Sequence, residues 1–244
     1  MRTFAKCGWV ALLALGSGAP NGVVNKAARV WLARTGASDA AIGSVTAAVL
    51  LAYTLKFLWA PAVDRFGARR AWAFASQALA AACLVVLAGA PSWAALLLVA
   101  IAYLSATFDV AVDGYAVELL DRREMGLANG VRVAAWRGGF LLTAGLLVAG
   151  AEPLGWPGVF RVAAILLGLL GTAALFAPRV PKAPAPGIPL VEPLRRFAGR
   201  RGAGVFAAVA AFVVLFKFGD FAMAAMIEPF LVRGAGLSDA EIGL

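Results

Sequence analysis

Histidine is absent from this 244-residue sequence, and cysteine occurs only twice. Without histidine, the chain lacks the imidazole ligands of the usual zinc sites and has no imidazole for acid-base catalysis. Cys7 and Cys83 lie in apolar stretches and form no Cys-x-x-Cys pair, which argues against a redox motif or a disulfide framework. We therefore expect no metal site, no cofactor and no enzymatic activity.

Charged side chains are also scarce: they make up 14% of the residues, whereas 62% are hydrophobic. This balance excludes an ordinary soluble domain, because too little polar surface is available to cover so much apolar surface. The longest stretch without a charge, residues 71–108, is almost twice as long as the roughly 20 residues that a helix needs to cross a bilayer. The sequence thus predicts an all-α integral membrane protein.

Hydrophobic windows separated by loop signals predict seven helices, at 8–32, 41–60, 71–89, 94–117, 130–150, 159–177 and 204–231. The Gly-Ala-Pro-Ser-Trp motif at 89–93 divides the long uncharged stretch into the third and fourth helices. We expect three units: a six-helix transmembrane bundle over 1–177, a Pro- and Arg-rich cytoplasmic linker over 178–203, and the seventh helix with an outer loop over 204–244.

Lysines and arginines outnumber acidic residues, and they are unevenly distributed along the chain. Thirteen of them fall in four segments, at 1–7, 61–70, 117–130 and 178–203, whereas the alternate loops contain only two. Cytoplasmic loops are enriched in Lys and Arg, so we expect the N terminus in the cytoplasm and a multi-pass protein in the inner membrane. Basic residues confined to short loops suit anionic lipid and not nucleic acid.

An eight-residue segment occurs in two similar copies. Gly36–Gly43 reads Gly-Ala-Ser-Asp-Ala-Ala-Ile-Gly, and Gly236–Gly243 reads Gly-Leu-Ser-Asp-Ala-Glu-Ile-Gly, at an offset of 200 residues. Chance in a chain rich in alanine and glycine is one explanation, and a duplicated six-helix unit is the stronger one. We then expect the chain to be truncated from a twelve-helix protein and not to transport alone, because alternating access needs two bundles.

Three charged residues fall deep within predicted helices, where a charge costs about 2.5–3.5 kcal/mol unless it has a partner or a cavity. Lys56 and Asp109 each lie 15 residues into helices that run in the same direction, which predicts a common depth. Asp113 follows Asp109 by four residues and shares its helical face. Two interpretations remain open: a structural Lys56–Asp109 ion pair with Asp113 in a wet vestibule, or proton coupling or substrate binding by at least one aspartate.

Asn21, Asn25 and Lys26 are further candidates, because they follow a part of the first helix punctuated by glycine and proline. Such a stretch indicates either close helix packing or a weakened helix along a substrate path. For Lys26 and Arg29, which lie near the outer interface, snorkelling to the membrane surface is the default expectation.

The fifth and seventh helices contribute the remaining candidates. We expect Arg132 to snorkel, and we expect Arg137 to face a cavity or an aspartate of the fourth helix. In the seventh helix, Lys217 and Asp220 are three residues apart and can pair on one face.

The loop between the second and third helices reads Asp64-Arg65-Phe66-Gly67-Ala68-Arg69-Arg70. Positive charge that anchors the loop at the inner surface is one account of it. The loop also resembles the signature of major facilitator transporters, Gly-x3-Asp-Arg/Lys-x-Gly-x-Arg/Lys-Arg/Lys, although Ala60 replaces the leading Gly. The resemblance implies a gating cluster formed by Asp64, Arg65, Gly67, Arg69 and Arg70.

Other stretches narrow the resemblance to the AmpG-like branch of muropeptide permeases. They are Lys56-Phe57-Leu58-Trp59-Ala60-Pro61, the Asp109-x3-Asp113 spacing, Arg137-Gly138 and Lys217-Phe218-Gly219-Asp220. The stretch from Val112 to Ala116 also resembles the related acetyl-CoA transporters. The resemblance implies twelve helices in two six-helix halves and proton-driven uptake of anhydromuropeptides.

The leading hypothesis is a proton-coupled secondary transporter for anhydromuropeptides or related cell-wall glycopeptides. Arg137, with Lys56 or Lys26, would attract substrate carboxylates, and Asp109 or Asp113 would carry the proton. The alternatives are a transporter for acetyl-CoA-like or other anionic metabolites and, with less support, a non-transporting membrane sensor. The expected partners are the lipid bilayer, a small glycopeptide or anionic substrate and protons, without nucleic acid.

Overall fold

The computed structural model describes residues 2–181, 196, 199–200 and 202–243, and the side chains at 213–214 and 216–225 are outside this description. Within these ranges the backbone forms helices and turns and contains no β-strand. Six helices are long and apolar enough to cross a membrane, and a seventh follows them. They are α1 (Thr3–Arg34), α2 (Asp39–Leu58), α3 (Arg69–Gly89), α4 (Pro91–Leu119), α5 (Met125–Ala149), α6 (Ala151–Phe176) and α7 (Ala203–Pro229). The predicted fold class, a six-helix membrane bundle with a seventh helix, is confirmed.

The largest difference from the predicted helix bounds is at the start of α6, which begins eight residues before the predicted position 159. Gly155 takes a φ of 66° inside this helix, and Pro157 follows it. Glycine and proline so close together indicate a loop in the sequence, yet here they produce a kink with helical residues on both sides.

Ion pairs near the helix ends mark one end of the bundle. Lys6 of α1 contacts Glu124 of the α4–α5 loop, and Arg69 at the start of α3 contacts Glu118 near the end of α4. We call this the inner end. The opposite, outer end contains the α1–α2 loop and the segment that follows α7.

The largest core cluster lies where α3 packs between α4 and α6. Leu84, Leu98, Phe160 and Leu167 from these helices are fully buried there. Trp31, near the end of α1, packs edge-on against Phe160, with ring centroids 5.0 Å apart. Because lipid is as apolar as these side chains, tight packing rather than exclusion from water stabilises this core.

α1 and α5 approach closely at two glycines. A Cβ on Gly18 would lie 2.9 Å from the backbone N of Phe140, and a Cβ on Gly139 would lie 3.0 Å from the backbone N of Ala19. Thr143 reinforces the contact by donating from Oγ1 to the Ala19 carbonyl at 2.7 Å. The glycines of the first helix therefore serve close packing, one of the two roles that the sequence left open.

α1 remains continuous through Pro20, but it widens into a π-helical turn at Val23–Ala27. A π turn inserts one extra residue, so it changes the faces presented by the side chains that follow it. Asn25 and Lys26 both lie in this turn. The π-helical turn therefore determines whether Asn25 or Lys26 points towards the bundle interior.

α7 packs unevenly along its length. It contacts the last turns of α1 and the outer part of the bundle at α2, whereas Val205, Val209 and Leu215 in its first half are 46–72% exposed. Within the described residues, the first half of α7 is therefore loosely packed on the first six helices.

Gly139→Ala should destabilise the bundle by about 1–3 kcal/mol, because the added methyl group would collide with the α1 backbone. Gly138→Ala is the matched control, since a Cβ at Gly138 would have nothing within 4 Å. Both changes raise helix propensity equally, so only the interhelical contact separates them. Thermal unfolding in detergent should show a lower midpoint for Gly139→Ala alone, and equal midpoints for both variants would contradict the packing.

Candidate functional site

A cavity of about 470 Å³ lies among α1, α2, α4 and α5. Its walls contain amides, hydroxyls, aromatic rings, an arginine and a carboxylate, from Asn21, Asn25, Arg29, Thr46, Leu50, Tyr53, Thr54, Asp109, Trp136 and Phe140. Cavities of roughly 300–1,000 Å³ with a few convergent polar groups are typical of small-molecule sites. The cavity is therefore the candidate site.

Asp109 is held by two other helices. Ser17 of α1 donates from Oγ to one carboxylate oxygen, and Lys56 Nζ of α2 lies 3.6 Å from the other. The Asp109 side chain is 13% exposed. A direct charge-assisted hydrogen bond is about 2.7–2.9 Å long, so this lysine is a near neighbour and not a tightly bound partner. The common depth predicted for Lys56 and Asp109 is confirmed.

Asp113 pairs with Arg132, whose Nη1 lies 2.8 Å from Asp113 Oδ1, and both side chains are partly exposed. Arg132, expected to snorkel, instead reaches the aspartate of α4. The role expected for Arg137 stays a prediction. Arg137 is exposed and makes no ion pair within the described residues. Asp113 and Arg132 match in depth, since each lies about two turns from the inner end of its helix.

Polar side chains form a stripe along α1. Ser17, Asn21, Asn25 and Arg29 are spaced four residues apart, and the π-helical turn at Val23–Ala27 offsets the drift of that spacing around a regular α-helix. Asn25 donates from Nδ2 to Asn21 Oδ1 at 3.1 Å, and Asn21 Nδ2 lies 3.3 Å from the Ser17 carbonyl oxygen. The stripe therefore runs from the Asp109 carboxylate along the cavity wall. The i, i+4 spacing was a signal from which Ser17 and Arg29 could have been predicted as site residues.

Lys26 and Arg29 do not snorkel to the membrane surface as expected. Lys26 Nζ donates to the Ile242 carbonyl at 2.8 Å. Arg29 Nε lies 3.2 Å from Glu228 Oε2, and both of these side chains are about nine-tenths buried. The expectations failed because the partners come from a segment roughly 200 residues later in the chain, whose position no local pattern predicts.

The α5 wall of the cavity is aromatic. The rings of Trp136 and Phe140 are nearly parallel, at 16°, with centroids 5.7 Å apart. Tyr53 and Thr54 of α2 line the same cavity. The site thus combines a flat aromatic wall with polar groups.

The predicted inner cluster is centred on Arg69. Its guanidinium lies 2.5 Å from Asp64 Oδ1 and 3.0 Å from Glu118 Oε1, which joins the α2–α3 loop to α4. A Cβ on Gly114 would meet this guanidinium, so the glycine provides the space for it. Sequence reasoning missed Glu118 and the role of Gly114, because neither belongs to the loop signature.

The other loop residues have different positions. Gly67 has a φ of 68°, which favours glycine over other residues. Arg70 donates to the carbonyls of Leu175 and Ala177, at 3.0 and 2.9 Å, and so fixes the end of α6. Arg65 is exposed. The side chains of Lys217 and Asp220 are outside the described residues, so their predicted pairing stays a prediction.

A second charged cluster also lies at the inner end. The hydrogen bond from Lys6, with others from the Asp121 backbone N–H and from Thr3, lowers the pKa of Glu124 from 4.5 to about 2. A lowered carboxyl pKa stabilises the fold above its unfolded value, and this contribution is lost as the pH falls towards 2. The α4–α5 loop therefore remains attached to α1 at physiological pH.

The chain spans about half the length of the curated relatives that it matches. The chain is 32% identical to the anhydromuropeptide permease of Escherichia coli strain K12, over 96% of this chain and 50% of that protein. It is 33% identical to an uncharacterized protein of Haemophilus influenzae, over 93% and 57% of the two chains. It is 27% identical to the putative transporter AmpG 4 of Rickettsia felis, over 96% and 61%.

The fold matches that of a solved transporter. A crystal structure of a bacterial homologue of the human lysosomal transporter Spinster, inward-facing and unoccupied, superimposes with a TM-score of 0.77 at 18% identity. The match covers 99% of this chain and 58% of that one. The family model of the Major Facilitator Superfamily matches residues 10–244. This chain, a multi-pass membrane protein, therefore belongs to the Major Facilitator Superfamily.

Proposed function

We propose that the chain is part of a proton-coupled secondary transporter that takes up anhydromuropeptides or related cell-wall glycopeptides across the inner membrane. The observation that carries the proposal is Asp109, a nearly buried carboxylate on the wall of a cavity, with a lysine close enough to neutralise it. The relative named anhydromuropeptide permease supports the substrate class.

Proton binding and the Lys56 contact are alternatives at Asp109. An uncompensated charge within the membrane is costly, so an ionised Asp109 retains Lys56, whereas a protonated Asp109 has no need of it. Lys56 is 34% exposed and can then turn towards a substrate carboxylate. Proton and substrate thus load together, as symport requires.

The cavity walls suit the chemistry of a glycopeptide. Amides such as Asn21 and Asn25 can bind hydroxyl groups, and an aromatic face such as that of Trp136 can cover the apolar face of a sugar ring. The proposed site does not include Arg137, which is absent from the cavity walls, or Lys26, which contacts the segment after α7.

The proposed orientation places the inner end in the cytoplasm. Its support is the concentration of arginine and lysine in the loops of that end, since short cytoplasmic loops are enriched in these residues. The basic loop after α2 and the Lys6 cluster lie together there.

Transport of an acetyl-CoA-like or other anionic metabolite is the second candidate. The cations next to the cavity, Lys56 and Arg29, would attract any anion.

Cells that express the full-length gene should accumulate labelled anhydromuropeptide, and a protonophore should abolish the accumulation. Uptake of labelled acetyl-CoA in its place would favour the second candidate, and uptake of neither would refute both.

Asp109→Asn should abolish proton-driven accumulation while leaving exchange of labelled for unlabelled substrate intact, because the variant cannot bind and release a proton. One coupled charge is worth about 2.3 kcal/mol per 100 mV, or about 50-fold in substrate gradient. Asp113→Asn is the matched control. Asp113 lies one helical turn from Asp109 on α4, but it pairs with Arg132 instead of lining the cavity. Normal accumulation by Asp109→Asn, or equal loss in both variants, would contradict the assignment.

We also propose that the inner cluster gates the cavity from the cytoplasm, with Arg69 as its centre. The Arg69 side chain is 12% exposed and contacts two carboxylates, so losing one leaves a nearly buried charge less well compensated. Asp64 comes from the loop and Glu118 from α4, so separation of these elements would break the cluster.

Asp64→Asn should change the side from which the cavity is accessible more than it changes substrate affinity. Accessibility is measured by labelling a cysteine in the cavity with impermeant reagents added from each side of the membrane. Substrate affinity is measured by equilibrium binding. Arg65→Gln is the control, because Arg65 is an exposed neighbour in the same loop. Weaker binding with unchanged accessibility would count against gating.

A further inference from the structure

Pro20 deprives one carbonyl of α1 of its usual hydrogen bond. In a regular α-helix, the Gly16 carbonyl accepts from the backbone N–H four residues later, but that residue is Pro20, which has no N–H. A buried carbonyl without a donor is costly, so a donor from another helix is expected. Gln77 of α3 provides it, with Nε2 2.7 Å from the Gly16 oxygen.

Gln77 occupies a tightly packed position between helices. Its side chain is 0% exposed. A Cβ on Gly171 of α6 would lie 2.8 Å from Gln77 Cβ and 3.1 Å from Gln77 Cγ. Any side chain at position 171 would therefore push Gln77 out of its place, so α1, α3 and α6 meet at this one amide.

The hydrogen bonds of Gln77 argue against a role in stability alone. Its amide oxygen, Oε1, is buried and has no hydrogen-bond partner among the described residues. Methionine resembles glutamine in size and shape but cannot donate, so at this position it would leave the Gly16 carbonyl unpaired in place of Oε1. One buried acceptor is unpaired in either case, and the glutamine therefore adds little net stability. Its effect is on where the α1 backbone is held.

The carbonyl held by Gln77 lies beside the candidate proton site. Ser17 follows Gly16 directly, and its Oγ donates to the Asp109 carboxylate. A Cβ on Gly16 would lie 3.1 Å from Phe108 Cζ, so α1 also contacts the residue that precedes Asp109. Gln77 is not among the residues that line the cavity. Its hydrogen bond connects it to the site through α1.

We propose that Gln77 is a positioning residue for Asp109: its amide holds the carbonyl left free by the proline and so keeps the Ser17 hydroxyl on the carboxylate. The proposal rests on the proposed function, in which Asp109 carries the proton, although its main test needs no substrate. Ser17 donates to Asp109 Oδ1, whereas Lys56 lies near Oδ2. Holding Oδ1 in place therefore leaves Oδ2 for the exchange between the lysine and a proton.

Infrared spectroscopy of the purified full-length protein tests the proposal. The Asp109 band is the carboxyl band that Asp109→Asn removes, in whichever protonation state the residue has. Its frequency depends on the hydrogen bonds that the group accepts, because a donated proton weakens the C–O bonds. Ser17→Ala removes the bond directly and calibrates the shift. Gln77→Met should shift the band in the same direction, while the thermal midpoint changes by only a few degrees.

Pro20→Ala should rescue the loss of the glutamine. It restores a backbone N–H at position 20, so the Gly16 carbonyl again has a donor within α1. The double variant Gln77→Met, Pro20→Ala should therefore return the Asp109 band to its wild-type frequency. The initial rate of proton-driven uptake should follow the same pattern. It should fall about two- to tenfold in Gln77→Met, the effect of one hydrogen bond, and recover in the double variant.

Two matched controls separate positioning from a general disturbance of the core. Ser76→Ala removes the neighbouring buried hydroxyl of α3, which donates to carbonyls of its own helix, and it should leave the band in place. Gly171→Ala should shift the band because it displaces Gln77. Gly168→Ala, also in α6, should not shift it, since a Cβ there would have nothing within 4 Å.

An Asp109 band that stays in place in Gln77→Met, that moves equally in Ser76→Ala, or that Pro20→Ala fails to restore would overturn the proposal. If Gln77→Met does not fold, the comparison of Gly171→Ala with Gly168→Ala decides the question. If the band responds as expected but the wild-type protein takes up no labelled anhydromuropeptide, the positioning role stands and the proposed function fails. If uptake is normal and the band does not respond, the positioning role fails and the proposed function stands.

Discussion

A charge within the membrane is costly unless it is paired, and the arrangement of α1, α2 and α4 follows from that constraint. Asp109 of α4 is approached from two directions, by the Ser17 hydroxyl and by the Lys56 ammonium. These contacts require three helices to meet at one depth. The cavity opens beside the same carboxylate, so the residue that fixes the helices is also the one best placed for chemistry.

The close contact of α1 with α5 makes this meeting point rigid. Gly18 and Gly139 let the two backbones approach until no Cβ would fit between them. Ser17 immediately precedes Gly18, so the packing contact also fixes the hydroxyl that reaches Asp109. The amides of Asn21 and Asn25 continue along the same face into the cavity. Packing on one side of α1 thus orients the polar stripe on another.

Depth in the membrane can be read from the sequence, whereas rotation about a helix axis cannot. Counting residues from the helix ends was enough to place Lys56 beside Asp109. The same counting could not decide which arginine of α5 reaches Asp113, because it used a predicted start of α5 at residue 130, five residues later than Met125. Arg132 and Arg137 differ by about 140° around the helix, and hydropathy carries no information on which face meets α4. Long-range partners, such as Glu228 for an arginine of α1, were equally beyond a local pattern.

The two ends of the bundle are held by different kinds of contact. At the inner end, the described ion pairs of Arg69 join the α2–α3 loop and α4, both parts of the first bundle. At the outer end, Arg34 and Arg233 join the two copies of the repeat. Moving the second copy away from the first therefore breaks the outer contacts and leaves the described inner ones intact. Among the residues described, the outer contacts combine one exposed pair, one pair with a nearly buried aspartate and the buried Arg29–Glu228 pair, so separating the two copies costs more than the loss of exposed pairs alone.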